Sequence, residues 1–203
     1  MDQLSHVAGI ISLSMGVAWA SGINLYAAIL MLGLLGATGN MALPPGLEIL
    51  SNPLVMMAAA CMYAVEFVAD KIPGVDSGWD ALHTFIRIPA GALLAAGAVG
   101  EMNPAISLAA AILGGGLAAG SHATKAGSRL LINASPEPFS NWLASLSEDL
   151  LVIVGLWAAL HHPFVFLLLL AAFIGFMVWL LPKAWLGLKK IFGFLGRFGK
   201  KNG

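Results

Sequence analysis

The chain has 203 residues, 59% of them hydrophobic and only 10% charged, against about 25% charged in an ordinary soluble domain. A soluble shell cannot be built from that, and a mean hydropathy of +0.88 with 24 glycines fits helices packed closely in lipid, where small residues let backbones approach. Ten basic and ten acidic residues cancel, which argues against nucleic-acid binding, since that needs clustered Lys and Arg across an exposed face.

About 20 apolar residues cross a bilayer core as a helix, and such stretches fall near 8–35, 54–70, 80–99, 105–127, 142–161 and 164–182. The class predicted is an all-α integral membrane protein of about six transmembrane helices, with a bundle over 1–183 and a tail over 184–203. Ala18-Trp19-Ala20 resembles a signal cleavage site, but Met1 to Ser5 holds only Asp2 as a charge, where a secretory signal wants a basic segment. Helix one is too long for a single span and contains Gly16-Val-Ala-Trp-Ala-Ser-Gly22-Ile-Asn24. A break near Gly22 follows, with Asn24 beside it.

Pro44-Pro45-Gly46 separates helices one and two, and Ile72-Pro73-Gly74 ends helix two after Glu66 and Asp70, which are spaced i,i+4. The lone cysteine, Cys61, lies in that helix, so neither an intrachain disulfide nor a cysteine-based metal site forms. Helix three carries Arg87 about two turns in, with His83 on the same face and Pro89 just beyond. Asp80 follows Ser77 by three, the spacing of a capping box. Asn103-Pro104 opens helix four, where Gly114-Gly-Gly-Leu-Ala-Ala-Gly120-Ser-His122 echoes helix one at an offset of 98 and Lys125 follows. A second break is expected at Gly120. Helix five, after Ser135-Pro136-Glu137-Pro138, carries Glu148 and Asp149, and Ser145 with Glu148 again has capping-box spacing. His162-Pro163 starts helix six.

Three spans per half make 8–100 and 105–183 candidates for a 3+3 inverted repeat with helices one and four broken, a recurring plan among transporters. Basic loops are retained in the cytoplasm. With both termini cytoplasmic, Lys71, Lys125, Arg129, Lys183 and the tail fall inside, while the loops at 36–53, 100–104 and 162–163 carry no Lys or Arg. Trp79, Trp142, Trp179 and Trp185 then sit at the inner interface. The tail sets Leu188, Ile191, Phe192, Leu195 and Phe198 on one face, with Lys189, Lys190, Arg197, Lys200 and Lys201 mostly elsewhere. It should lie on the inner leaflet against anionic lipids.

Charges within spans are expensive and face a partner or a cavity. Glu66, Asp70, Arg87, His122, Lys125, Glu148 and Asp149 all fall in the cytoplasmic half of the predicted bundle, with Glu66 and Glu148 the expected partners of Arg87. Together with Asn24 they are the candidate substrate or ion pathway, and Gly22 and Gly120 are the helix breaks. The plainer alternative is a structural salt bridge locking helices two, three and five. His161-His162 suits a turn better than a metal site, which wants further ligands.

Ala20-Ser-Gly22-Ile-Asn24-Leu-Tyr26, Glu66-Phe-Val-Ala-Asp70-Lys71-Ile-Pro73-Gly74-Val-Asp76-Ser-Gly-Trp79-Asp80 and Gly120-Ser-His122-Ala-Thr-Lys125-Ala-Gly127 resemble a bacterial family of small multi-pass membrane proteins known as a domain of unknown function. The resemblance covers nearly all of the chain except the tail. It implies residence in the bacterial inner membrane and supplies no activity. The function expected is a transporter or channel for a small solute or ion, without cofactor or metal, embedded in lipid and able to form a homo-oligomer. The alternative is a non-transporting scaffold. An intramembrane enzyme acting on lipid lacks a converging nucleophile and base, and would need a metal held by Asp70, Asp76 and Asp80.

Overall fold

The computed structural model describes residues 3–72, 74–100, 102–133 and 138–199. At Leu131, Pro138, Ala184 and 187–199 it describes the backbone only. The elements in chain order are α1 (Gln3–Ala37), a 3-10 helix (Pro45–Ser51), α2 (Pro53–Ala69), α3 (Val75–Ala98), α4 (Pro104–Asn133), α5 (Pro138–His161) and α6 (Pro163–Gly199). Proline opens α2, α4, α5 and α6, where its missing N–H would have no helical partner anyway. Asn52 and Asn103 cap two of these starts, accepting from Leu54 N and Ala105 N at 2.9 Å each.

α1 is not one rod. Asn24 leaves helical geometry, with φ −145° and ψ 95°, and its Oδ1 accepts from Ala27 N at 3.0 Å, so it caps a new helical arm. Along the first arm, Ser12 Oγ donates to Ala159 O at 2.9 Å, Ser14 Oγ to Ala95 O at 2.8 Å and Ser21 Oγ to Arg87 O at 2.9 Å. Numbering in α3 and α5 falls as that in α1 rises, so the first arm runs antiparallel to both. After Asn24 the direction reverses. Gly33 packs on Leu50 and Met56, Gly36 packs on Ser51 and Leu43, and Leu35 and Met41 share a cavity wall with Trp157 and His161. His161 also shares a cavity wall with Ser5 and His6. A straight helix would hold Ser5 and Leu35 roughly 45 Å apart, so α1 is a V with both ends on the His161 face.

Among the described residues, counting the bent pair of the 3-10 helix and α2 (69°) as one, up to six elements are long and apolar enough to cross a bilayer. α1 enters and leaves on one face of the bundle, so it does not run from end to end. The sequence predicts both termini on one face, and the fold corrects this: residues 5 and 6 lie with His161 and Pro163, while α6 runs from Pro163 to the opposite face. The N-terminal stretch contains no Lys or Arg, so charge never placed it.

Two further expectations fail. α4 is a single helix with no break at Gly120. The Gly22 and Gly120 segments also run parallel, not antiparallel as an inverted repeat requires. A Cβ on Gly114 would meet Ala18 and one on Gly22 would meet Ala118 and Ser121, while Lys125 Nζ reaches Ile23 O at 3.1 Å. Small residues of α1 (Ala18, Gly22) and of α4 (Gly114, Ala118, Ser121) do lie side by side, but Gly120 itself faces Met177, so the offset of 98 is not a spatial pairing.

The core follows from this arrangement. The most apolar window of α1 is 61% buried against 11% for that of α6, so the V is the hub and α6 the lipid-facing rim. Val17, Ala18, Ala20, Leu32, Leu156 and Phe166 are among the side chains packed around it.

Candidate functional site

The stripe spacing of three helices brings the charges to the apex of the V. Asp80, Thr84 and Arg87 share one face of α3, His122, Lys125 and Arg129 one face of α4, and Glu66 and Asp70 one face of α2, all at helical repeats of three, four or seven. Glu148 and Asp149 lie about three turns into α5.

Lys125 is the centre. Its Nζ lies 2.8 Å from Asp70 Oδ2, 3.3 Å from Glu66 Oε1, 3.5 Å from Glu148 Oε2 and 3.8 Å from Asp80 Oδ1. Arg87 spans Glu66 at 2.5 Å and Asp80 at 3.0 Å. Arg129 grips Glu148 with two parallel bonds, Nε to Oε1 at 3.1 Å and Nη2 to Oε2 at 2.7 Å, the fork geometry that guanidinium favours. Its Nη1 ties down the carbonyls of Asp70 and Asn141 at 3.0 and 3.1 Å. Apart from Glu148 at 14%, these side chains are at most 3% exposed. The sequence predicts convergence around an opening; the charges do converge, but on one another.

The histidines fall into fixed tautomers. Arginine only donates, so His122 Nδ1 accepts from Arg87 Nη1 at 3.1 Å, which leaves Nε2–H to donate to Thr84 Oγ1 at 2.8 Å. His83 Nδ1–H donates to Trp79 O at 2.9 Å, and its Nε2 accepts from the Tyr26 hydroxyl at 3.0 Å.

The apex of α1 meets an ionisable side chain on both sides. Its first arm ends at Ile23, whose carbonyl accepts from Lys125, and a helix C-terminus favours a cation. Its second arm begins at Asn24, whose Nδ2 donates to Asp149 Oδ1 at 2.9 Å, where the helix start offers only a partial positive charge.

Of the predicted residues, Asn24, Glu66, Asp70, Arg87, His122, Lys125, Glu148 and Asp149 all meet here. Gly22 lies at the α1–α4 crossing, whereas Gly120 faces Met177 of α6. Glu148 pairs with Arg129 and Lys125, leaving Asp80 as the second partner of Arg87. Asp80 and Glu148 are not helix caps, because α3 begins at Val75 and α5 at Pro138. Asp80 and Arg129 were the residues missed. The seven-residue spacings Asp80 to Arg87 and His122 to Arg129 were the signal for them. Asp76 stands apart, accepting from Asn133 Nδ2 at 2.9 Å and Ser77 N at 2.6 Å, so Asp70, Asp76 and Asp80 form no common site. Among the described residues no group of three or more His, Cys, Asp or Glu is placed to hold a metal. The side chains of Lys189, Lys190 and Arg197, and all of Lys200 and Lys201, lie outside the described residues, although the α6 backbone stays helical to Gly199.

A helical bundle with apolar walls, a folded-back helix at its centre and a buried ionic knot at the fold-back defines a multi-pass membrane protein. Residues 11–183 match the family described as the domain of unknown function DUF4126, and the chain belongs to it. No curated protein and no solved structure matches.

Proposed function

We propose that the protein is a small membrane transporter or channel for a small solute or ion, closed in this conformation, with the Asn24 apex and the Lys125 cluster as its gate. One observation carries the reading. A helix interrupted at depth and met there by ionisable groups is an arrangement tolerated in a membrane only where the freed backbone is buried in protein or lines a path, and transporters use such ends to hold ions. Excess Lys and Arg orient the tail face to the cytoplasm, and the family resemblance favours a bacterial inner membrane. The amphipathic tail then rests on anionic lipid.

Reconstituted into liposomes, the wild type is expected to move at least one of protons, sodium, potassium, phosphate or amino acids, and Asn24→Ala to alter that rate. Absence of flux across the whole set, with Arg87→Ala only lowering the melting temperature, would leave the reading without support.

The closed packing of the ion pairs favours a second reading, a non-transporting scaffold in which the cluster is a structural lock. A stoichiometric partner recovered by pull-down and lost on deleting residues 184–203 would select it.

A further inference from the structure

Five carboxylates meet three fixed cations at the apex. Glu66, Asp70, Asp80 and Glu148 each lie within ion-pair distance of Arg87, Lys125 or Arg129. Among the described residues Asp149 alone of the five has no such cation. It is 8% exposed, its Oδ1 is held by the Asn24 amide at 2.9 Å, the Tyr63 side chain hydrogen-bonds the same carboxyl, and no well-formed hydrogen bond closes on Oδ2.

The groups around it do not supply the missing charge. Asn24 approaches from α1, Tyr63 and Asp70 from α2, Lys71 from the turn after α2 and Lys125 from α4, while Glu148 precedes it on α5. Lys125 is shared among four other carboxylates. Lys71 Nζ is directed to Phe67 O at 2.9 Å and Ser145 Oγ at 3.4 Å. Asn24 and Tyr63 are neutral. A carboxylate stripped of water with no cation is strongly disfavoured, and the simplest relief is a proton.

We propose that Asp149 is a proton-carrying group, protonated on Oδ2 while the α1 apex is seated against it and discharged to water when the apex moves away. On release the O–H bond breaks, the proton leaves with the solvent, and the new carboxylate competes with Asp70 and Glu148 for Lys125. Apex movement and protonation are then one event, and the coupling ion of the transport cycle is the proton. That last step rests on the transport reading; the protonation does not.

The experiment has two arms on the full chain in liposomes. In infrared spectra at neutral pH the wild type should show the carbonyl stretch of a protonated carboxylic acid that shifts on 4-¹³C-aspartate labelling. The band should be lost in Asp149→Asn and kept in Glu48→Gln, an exposed carboxylate of the 3-10 helix outside the cluster. If Asp149→Asn does not fold, Asp149→Glu serves, since its band should no longer respond to labelled aspartate. With a pH gradient imposed and sodium, potassium, phosphate and amino acids supplied on one side, the wild type should dissipate it, and Asp149→Asn should fall to the rate of protein-free liposomes. No such band in the wild type, or one that persists in Asp149→Asn, overturns the inference. The band without gradient dissipation keeps Asp149 as a proton site and removes the transport reading. Dissipation equal in Asp149→Asn, or flux driven by a sodium gradient alone, overturns the coupling.

Discussion

Arg87 holds two carboxylates that face it from different helices, and it is fully buried. Removing one member of a buried ion pair strands the rest, at about 3–5 kcal/mol. Arg87→Met should therefore lower the melting temperature sharply, and the double variant Arg87→Met with Glu66→Leu should recover part of the loss, both read by thermal unfolding in detergent. An additive double variant would mean that the two groups do not act as a pair. Arg87→Lys should not rescue, because one ammonium cannot reach Glu66 and Asp80 in the planar fork that guanidinium provides. Glu66 and Arg87 could be paired from sequence because both are costly within a span and lie at similar depth. Asp80 could not, since its distance from Ser77 imitates a helix cap and only the early start of α3 at Val75 places it inside the helix.

At the scale of the element, the two glycines that sequence pairs have different duties. A Cβ on Gly22 would run into the Ser121 side chain and the Ala118 carbonyl of α4, whereas one on Gly120 would meet only the flexible end of Met177. Gly22→Ala should therefore destabilise by about 1–3 kcal/mol, the range for overpacking a filled contact. Gly120→Ala should be milder, and equal losses in thermal unfolding would contradict the α1–α4 crossing. Asn24 is the other determinant of α1. Asn24→Ala removes the cap of the second arm, about 1 kcal/mol, and frees Asp149 Oδ1, so the arm should exchange its amide hydrogens faster while α3 and α4 stay protected.

At the scale of the molecule, the V decides the topology. Cysteines at His6, His161 and Lys183, each introduced in a Cys61→Ala background, should divide two to one. His6→Cys and His161→Cys react with an impermeant maleimide from one side of the membrane, and Lys183→Cys reacts from the other. Labelling of His6→Cys and Lys183→Cys from the same side would mean that α1 crosses after all.

The amino-acid sequence by itself determined the solvent and the secondary structure: apolar runs of spanning length separated by Pro and Asn turns leave no choice but helices in lipid. It also determined that Glu66, Arg87, His122, Lys125 and Glu148 would converge, because isolated charges at such depth are unaffordable. Tertiary structure alone decided that α1 folds back at Asn24 and α4 does not bend at Gly120. A single polar residue in an apolar run marks where a helix can break. Whether it kinks slightly or reverses depends on what packs against each arm, and those partners, Leu50, Ala95, Ala159 and Lys125, lie far along the chain.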